Sequence, residues 1–186
     1  MPIVAERFNP ERQQVPAIPP DDLGRRLAVV RQETDRNIRH IGLAGDTYTI
    51  LLTGKETAGR FCLIDMYVPP GGGPPTHRHD FEETFTLLEG ELEFIFRGAR
   101  MVARAGETIH VPANAPHQFH NSSSGPARML CICAPAGQVE FFMEIGVPVA
   151  TRSTPPPGMD EAAQAEFRAK AGALAQKYRT EFLPRA

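Results

Sequence analysis

Between residues 37 and 150, apolar segments recur that are only a few residues long, each closed by a turn signal. They lie at 37–43, 46–53, 61–68, 76–79, 83–88, 92–97, 100–103, 108–111, 117–121, 127–134 and 141–145. Such runs are too short for a helical bundle and are the signature of an all-β sandwich or barrel. The stretches 51–59 and 121–126 are rich in breakers and read as loops. Gly90-Glu91 separates two of the runs and reads as a hairpin turn. No internal repeat is visible.

Two blocks within this region carry the chemistry. The first runs from Gly71 through His77, His79 and Glu83 to Gly90. The second runs from Gly106 through Pro112 and His117 to Asn121. Side chains two apart on a strand share a face, so His77 and His79 point the same way. Glu83 shares parity with Phe85 and Leu87 and opens an inward row, while Glu82 points outward unless the register shifts. His117, Phe119 and Asn121 share a face, which puts His120 on the other. His110 and His120 read as solvated or outer-layer residues. Three imidazoles and a carboxylate, His77, His79, Glu83 and His117, are a set that a divalent transition metal can use with positions left open.

With these offsets the chain resembles the cupin superfamily. The first cupin motif is Gly, five residues, His-x-His, three or four residues, Glu, six residues, Gly, and Gly71, His77, His79, Glu83 and Gly90 fit it. The second is Gly, five residues, Pro-x-Gly, two residues, His, three residues, Asn, and Gly106, Pro112, His117 and Asn121 fit it. Asn114 stands where the family has glycine; asparagine tolerates left-handed backbone better than most residues, so the turn should survive. The resemblance implies an antiparallel jelly-roll β-barrel with the metal inside. Gly45–Leu51, Val68–Pro75 and Cys133–Gly137 followed by Phe141-Phe142 further resemble small bacterial cupins grouped with quercetin dioxygenases. That grouping implies a dioxygenase acting on a small aromatic or enolic compound. The alternatives are a Lewis-acid isomerase, hydrolase or decarboxylase, and a non-catalytic binding protein. Iron, manganese, nickel, copper and zinc all suit the ligand set. Glu83 could serve as ligand, as catalytic base, or as both. Phe85, Phe94 and Phe119 are candidates for an apolar substrate wall by strand parity.

Composition removes other classes. The 186 residues suit one domain with a sizeable core. A net charge of -2 leaves no basic surface for nucleic acid. No apolar run is long enough to span a membrane, and residues 1–20 lack a signal-type apolar stretch, so the expected location is cytoplasmic. Cys62, Cys131 and Cys133 read as small buried apolar residues in a reducing compartment. A sulfur ligand arises only if Cys131 or Cys133 faces the cavity.

The flanks differ from the middle. Residues 1–35, with Pro2, Pro10, Pro16, Pro19 and Pro20, read as an extension, with a short helical turn possible at 21–27. Residues 36–150 form the barrel. Thr154-Pro-Pro-Pro-Gly is a stiff linker, and within 151–186 a helix is expected over 160–179. Phe167, Ala171, Leu174 and Tyr178 lie on one face of it. Exposed sheet edges together with these flanks suggest a homodimer.

Overall fold

The computed structural model describes residues 17–32 and 34–184. Pro2, Pro10 and Pro16 lie outside the described residues. From 17 to 32 the chain carries neither helix nor strand. At 21–27 it makes a turn instead of a helix, closed by the Arg25 amide donating to the Asp22 carbonyl and the Gly24 amide to the Asp22 carboxylate.

The chain folds as two antiparallel sheets. The strands are β1 (Arg39–Leu43), β2 (Asp46–Leu52), β3 (Cys62–Val68), β4 (His77–His79), β5 (Glu82–Glu89), β6 (Glu91–Phe96), β7 (Ala99–Arg104), β8 (Thr108–Val111), β9 (His117–His120), β10 (Ala127–Ala134), β11 (Val147–Pro148) and β12 (Thr180–Phe182). Among the described residues one sheet orders them β11-β1-β2-β3-β10-β5-β8 and the other β12-β4-β9-β6-β7. Among the described residues the ladders form two sheets.

Alternation sets which side of each strand is buried. In β5, Glu83, Phe85 and Leu87 point in; in β10, Ala127, Met129, Cys131 and Cys133 do. The second sheet contributes Leu92 and Phe94 from β6 and Phe119 from β9. Phe85 meets Phe94 and Phe119 with ring centroids 5.5 and 5.7 Å apart, and the latter two lie 5.9 Å apart. One ring from one sheet wedged against two from the other makes this trio the seam of the sandwich.

Two local expectations change. Gly90-Glu91 is not a hairpin turn: β5 and β6 belong to different sheets, and Gly90 is the corner where the chain crosses between them. Its φ of 73° suits a residue without Cβ, and an added Cβ would lie 2.6 Å from the Pro126 carbonyl. The run 141–145 is not a strand but part of α2 (Gln138–Ile145). Gln138, Phe141 and Ile145 are buried at helical spacing, a pattern that a five-residue apolar window cannot display.

α1 (Gly54–Thr57) is a single turn inside the expected loop, held by a capping box between Thr53 and Glu56. The C-terminal helix, α3 (Glu161–Ala175), starts at the Asp160 cap, whose carboxylate accepts the Ala163 amide, and ends in a 3-10 turn over Gln176–Tyr178. Ala171 is buried, and Phe167, Leu174 and Tyr178 pack on the core from the same face. No helix among the described residues is long and apolar enough to cross a membrane. After α3 the chain returns as β12 and pairs with β4, setting Thr180 opposite His79 and Phe182 opposite His77.

Candidate metal centre

The structure brings His77, His79, Glu83 and His117 together. Their ligand atoms all lie within 4.8 Å of one another, and all four residues are buried. His77 and His79 come from β4, and His117 from β9, where it pairs directly with His77. Glu83 reaches in from β5 of the facing sheet. The crossing between sheets occupies only Asp80 and Phe81, and the ring of Phe81 stacks on His79 at 3.7 Å with a 3° interplanar angle. That stack fixes the His79 plane.

Backbone carbonyls set the tautomer of all three imidazoles. The Nδ1 atoms of His77, His79 and His117 each lie 2.9 Å from a carbonyl oxygen, of Pro75, Phe81 and Ala115 respectively. A carbonyl only accepts, so each Nδ1 carries the proton and each Nε2 is left with its lone pair toward the centre. Such outer partners orient the histidine ligands of metal sites. His117 Nε2 lies 3.1 Å and His79 Nε2 3.0 Å from the same oxygen, Oε2 of Glu83. The His79 approach lacks hydrogen-bond geometry, which leaves that nitrogen buried with no hydrogen-bond partner among the described residues. An orphaned buried nitrogen beside a carboxylate is what a shared ion would satisfy, so the residues present fit a metal.

The electrostatics agree. Burial, reinforced by the neighbouring His117, lowers His77 to about 4 and keeps it neutral, as a ligand must be. Burial opposes the ionised form of Glu83, but the neighbouring His117 and His79 outweigh it and hold the carboxyl well below its usual range. For His117, burial opposes the charged form and the Glu83 carboxylate reverses the balance, raising its pKa.

Other residues singled out by sequence fall as follows. Glu82 faces outward, 3.0 Å from His110, so neither joins the centre. His120 is half-buried on the opposite face of β9. Asn121 is buried and structural, its amide donating to the carbonyls of Val68 and Gly125. Asn114 adopts φ 67°, the left-handed turn expected of it. Phe85, Phe94 and Phe119 pack on one another in the core seam described above. Cys131 and Cys133 do face Glu83: their sulfurs lie 3.7 and 3.5 Å from its Oε1. Strand parity gave their shared face; only the pairing of β10 with β5 shows which face that is.

Asp46 escaped sequence reading, since a lone aspartate opening a strand carries no motif. It is 3 % exposed, accepts the Gly73 amide on Oδ1 and the Tyr48 hydroxyl on Oδ2. It thereby anchors the Gly71–Gly73 loop, whose Gly73 presses so closely on β9 that a Cβ would lie 2.2 Å from the Phe119 carbonyl. Burial pushes the Asp46 carboxyl up to about 7 against the pull of both hydrogen bonds. A carboxyl raised on folding adds stability that is complete below its unfolded pKa of 3.8 and is lost as pH rises through about 7. Asp46→Asn removes that loss. Its stability advantage over the wild type should grow by roughly 2–3 kcal/mol between about pH 5 and about pH 8, read from denaturant midpoints. An advantage independent of pH would contradict this.

Comparison with known proteins places these features in context. Residues 64–133 match the Cupin domain family. The chain is 31% identical over 108 residues to quercetin 2,3-dioxygenase of Bacillus subtilis (strain 168), covering 57% of this chain and 32% of that protein. It is 32% identical over 96 residues to a protein named endoribonuclease YbeY from Myxococcus xanthus (strain DK1622), covering 52% of this chain and 30% of that one. The chain thus spans about a third of the length of these curated relatives. Among solved structures, the polyketide cyclase RemF from Streptomyces resistomycificus aligns with a TM-score of 0.51 at 20% identity, over 78% of this chain and 99% of that one. That similarity is one of fold.

Proposed function

The chain is a member of the cupin superfamily by its domain at residues 64–133, and on that footing we propose that it is a metal-dependent dioxygenase acting on a small aromatic or enolic compound. One observation carries the reading: three buried imidazoles locked with their Nε2 lone pairs inward converge on one buried carboxylate. His77, His79, Glu83 and His117 would hold the ion. A bound redox-active metal supplies a meeting point for a chelating oxygen donor and dioxygen. The similarity to quercetin 2,3-dioxygenase supports the choice of reaction over other cupin chemistries.

The chain's own residues have definite parts. Three neutral histidines and one carboxylate leave a divalent ion with net positive charge, which attracts an ionised hydroxyl. His77 is the most exposed of the four at 8 %. Glu83 neutralises charge as a ligand through Oε2. The Glu83 carboxylate is also the group that would take a proton from a substrate hydroxyl. The apolar residues behind the site exclude bulk water, which strengthens each of these charge interactions.

Oxygen uptake is the test. Protein loaded separately with iron, manganese, nickel and copper should consume oxygen with a flavonol, catechol or enolic substrate in at least one pairing. His77→Ala should abolish that uptake. If every pairing is inactive while the ions are bound, the dioxygenase reading fails in favour of Lewis-acid chemistry or binding alone.

A further inference from the structure

Cys62, Cys131 and Cys133 are free thiols with 0 % exposure, and nothing in the proposed reaction uses them. Buried cysteines ordinarily serve as small apolar side chains. These are placed differently. Cys131 and Cys133 stand two apart on β10 with their sulfurs 3.6 Å apart. The register of β10 against β5 sets Cys133 opposite Glu83. Both sulfurs reach Oε1 of Glu83, while Oε2 faces the histidines. The two oxygens of one buried carboxylate therefore address two different donor sets. The Oε1 set also has its ligand atoms within 4.8 Å of one another. Behind it, Cys62 pairs across from Cys133 on β3.

We propose that Cys131, Cys133 and Oε1 of Glu83 form a second metal subsite for a thiophilic cation, joined to the histidine centre through the bridging Glu83 carboxylate. Two sulfurs and one oxygen select a soft d10 ion such as zinc, cadmium or copper(I) over the harder ions that suit the histidine side. Coordination forms two metal–sulfur bonds, and each thiol gives its proton to solvent. Cys62, opposite Cys133 on β3, takes no part in the coordination. The subsite depends on Glu83 but not on the reaction proposed above, so failure of the oxygenase assay leaves it standing.

Cadmium titration of the metal-stripped full chain tests this, with thiolate-to-metal charge-transfer absorption and ion content read together. The wild type should bind two ions per chain, with the charge-transfer band following one of them. Cys131→Ala/Cys133→Ala should bind one ion with no band; that retained ion reports an intact fold. His77→Ala should keep the band. Absence of a band in the wild type overturns the proposal. So does a band that survives the double cysteine substitution. A single bound ion whose band disappears with His77→Ala also overturns it, because a thiolate would then belong to the histidine centre itself. The wild-type and His77→Ala arms decide the matter even if the double variant does not fold.

Discussion

Replacing Phe85 with alanine should lower folding stability by about 3–5 kcal/mol, the range for truncating a buried phenylalanine. Phe85 is 1 % exposed and is the ring by which β5 meets β6 and β9. Its neighbours come from the opposite sheet, so they cannot close on the void without moving both sheets. A loss of this size is a large share of the 5–15 kcal/mol typical of a whole domain. Leu88→Ala, on the exposed side of the same strand, should cost no more than about 1 kcal/mol. Denaturant unfolding of the two variants gives the comparison. If Phe85→Ala were as mild as Leu88→Ala, Phe85 would line open space and act as substrate wall, not seam.

The second large effect is on metal, not on folding. His79→Ala should weaken ion binding by more than about a hundredfold, since even changes outside the ligand shell cost 10–100-fold. His79 supplies a fully buried ligand nitrogen left without a hydrogen-bond partner among the described residues, and the stacked Phe81 ring holds it in place. The sheets should stay folded, because the aromatic seam and the β3–β10–β5 packing contain no ligand of the histidine centre other than Glu83. Metal content after dialysis, together with the unfolding midpoint, tests both halves. A variant that binds as the wild type does removes His79 from the site. One that fails to fold makes the centre structural, as would unfolding on chelation.

Much of this was legible in the sequence because strand parity is a strict rule. It set His77 and His79 on one face and His117 on a face with Phe119, separated Glu83 from Glu82, and placed His120 on the far face. The Asn114 turn followed from the same local reasoning. What escaped was non-local. Nothing in Gly90-Glu91 tells a hairpin from a corner between sheets; the difference lies in which distant strand β6 pairs with. The helix α2 hid inside an apolar run too short to reveal its period. The carbonyls of Pro75, Phe81 and Ala115 that orient the imidazoles have no side-chain signature at all. Cys131 and Cys133 showed their shared face but not their neighbour, because that depends on β10 lying against β5.

The last strand gives the centre a place in the order of synthesis. β4 has a single bridge to β9 and three paired positions with β12, so Thr180–Phe182 supplies most of its ladder. Arg78 and its ion-pair partner Glu181 are 103 residues apart in the chain. A ribosome making this protein therefore produces the His-x-His strand early and leaves one of its edges bare while all the other strands are laid down. β4 gains most of its backbone pairing only when Phe182 has emerged and folded back, so the strand that carries His77 and His79 is among the last to be completed.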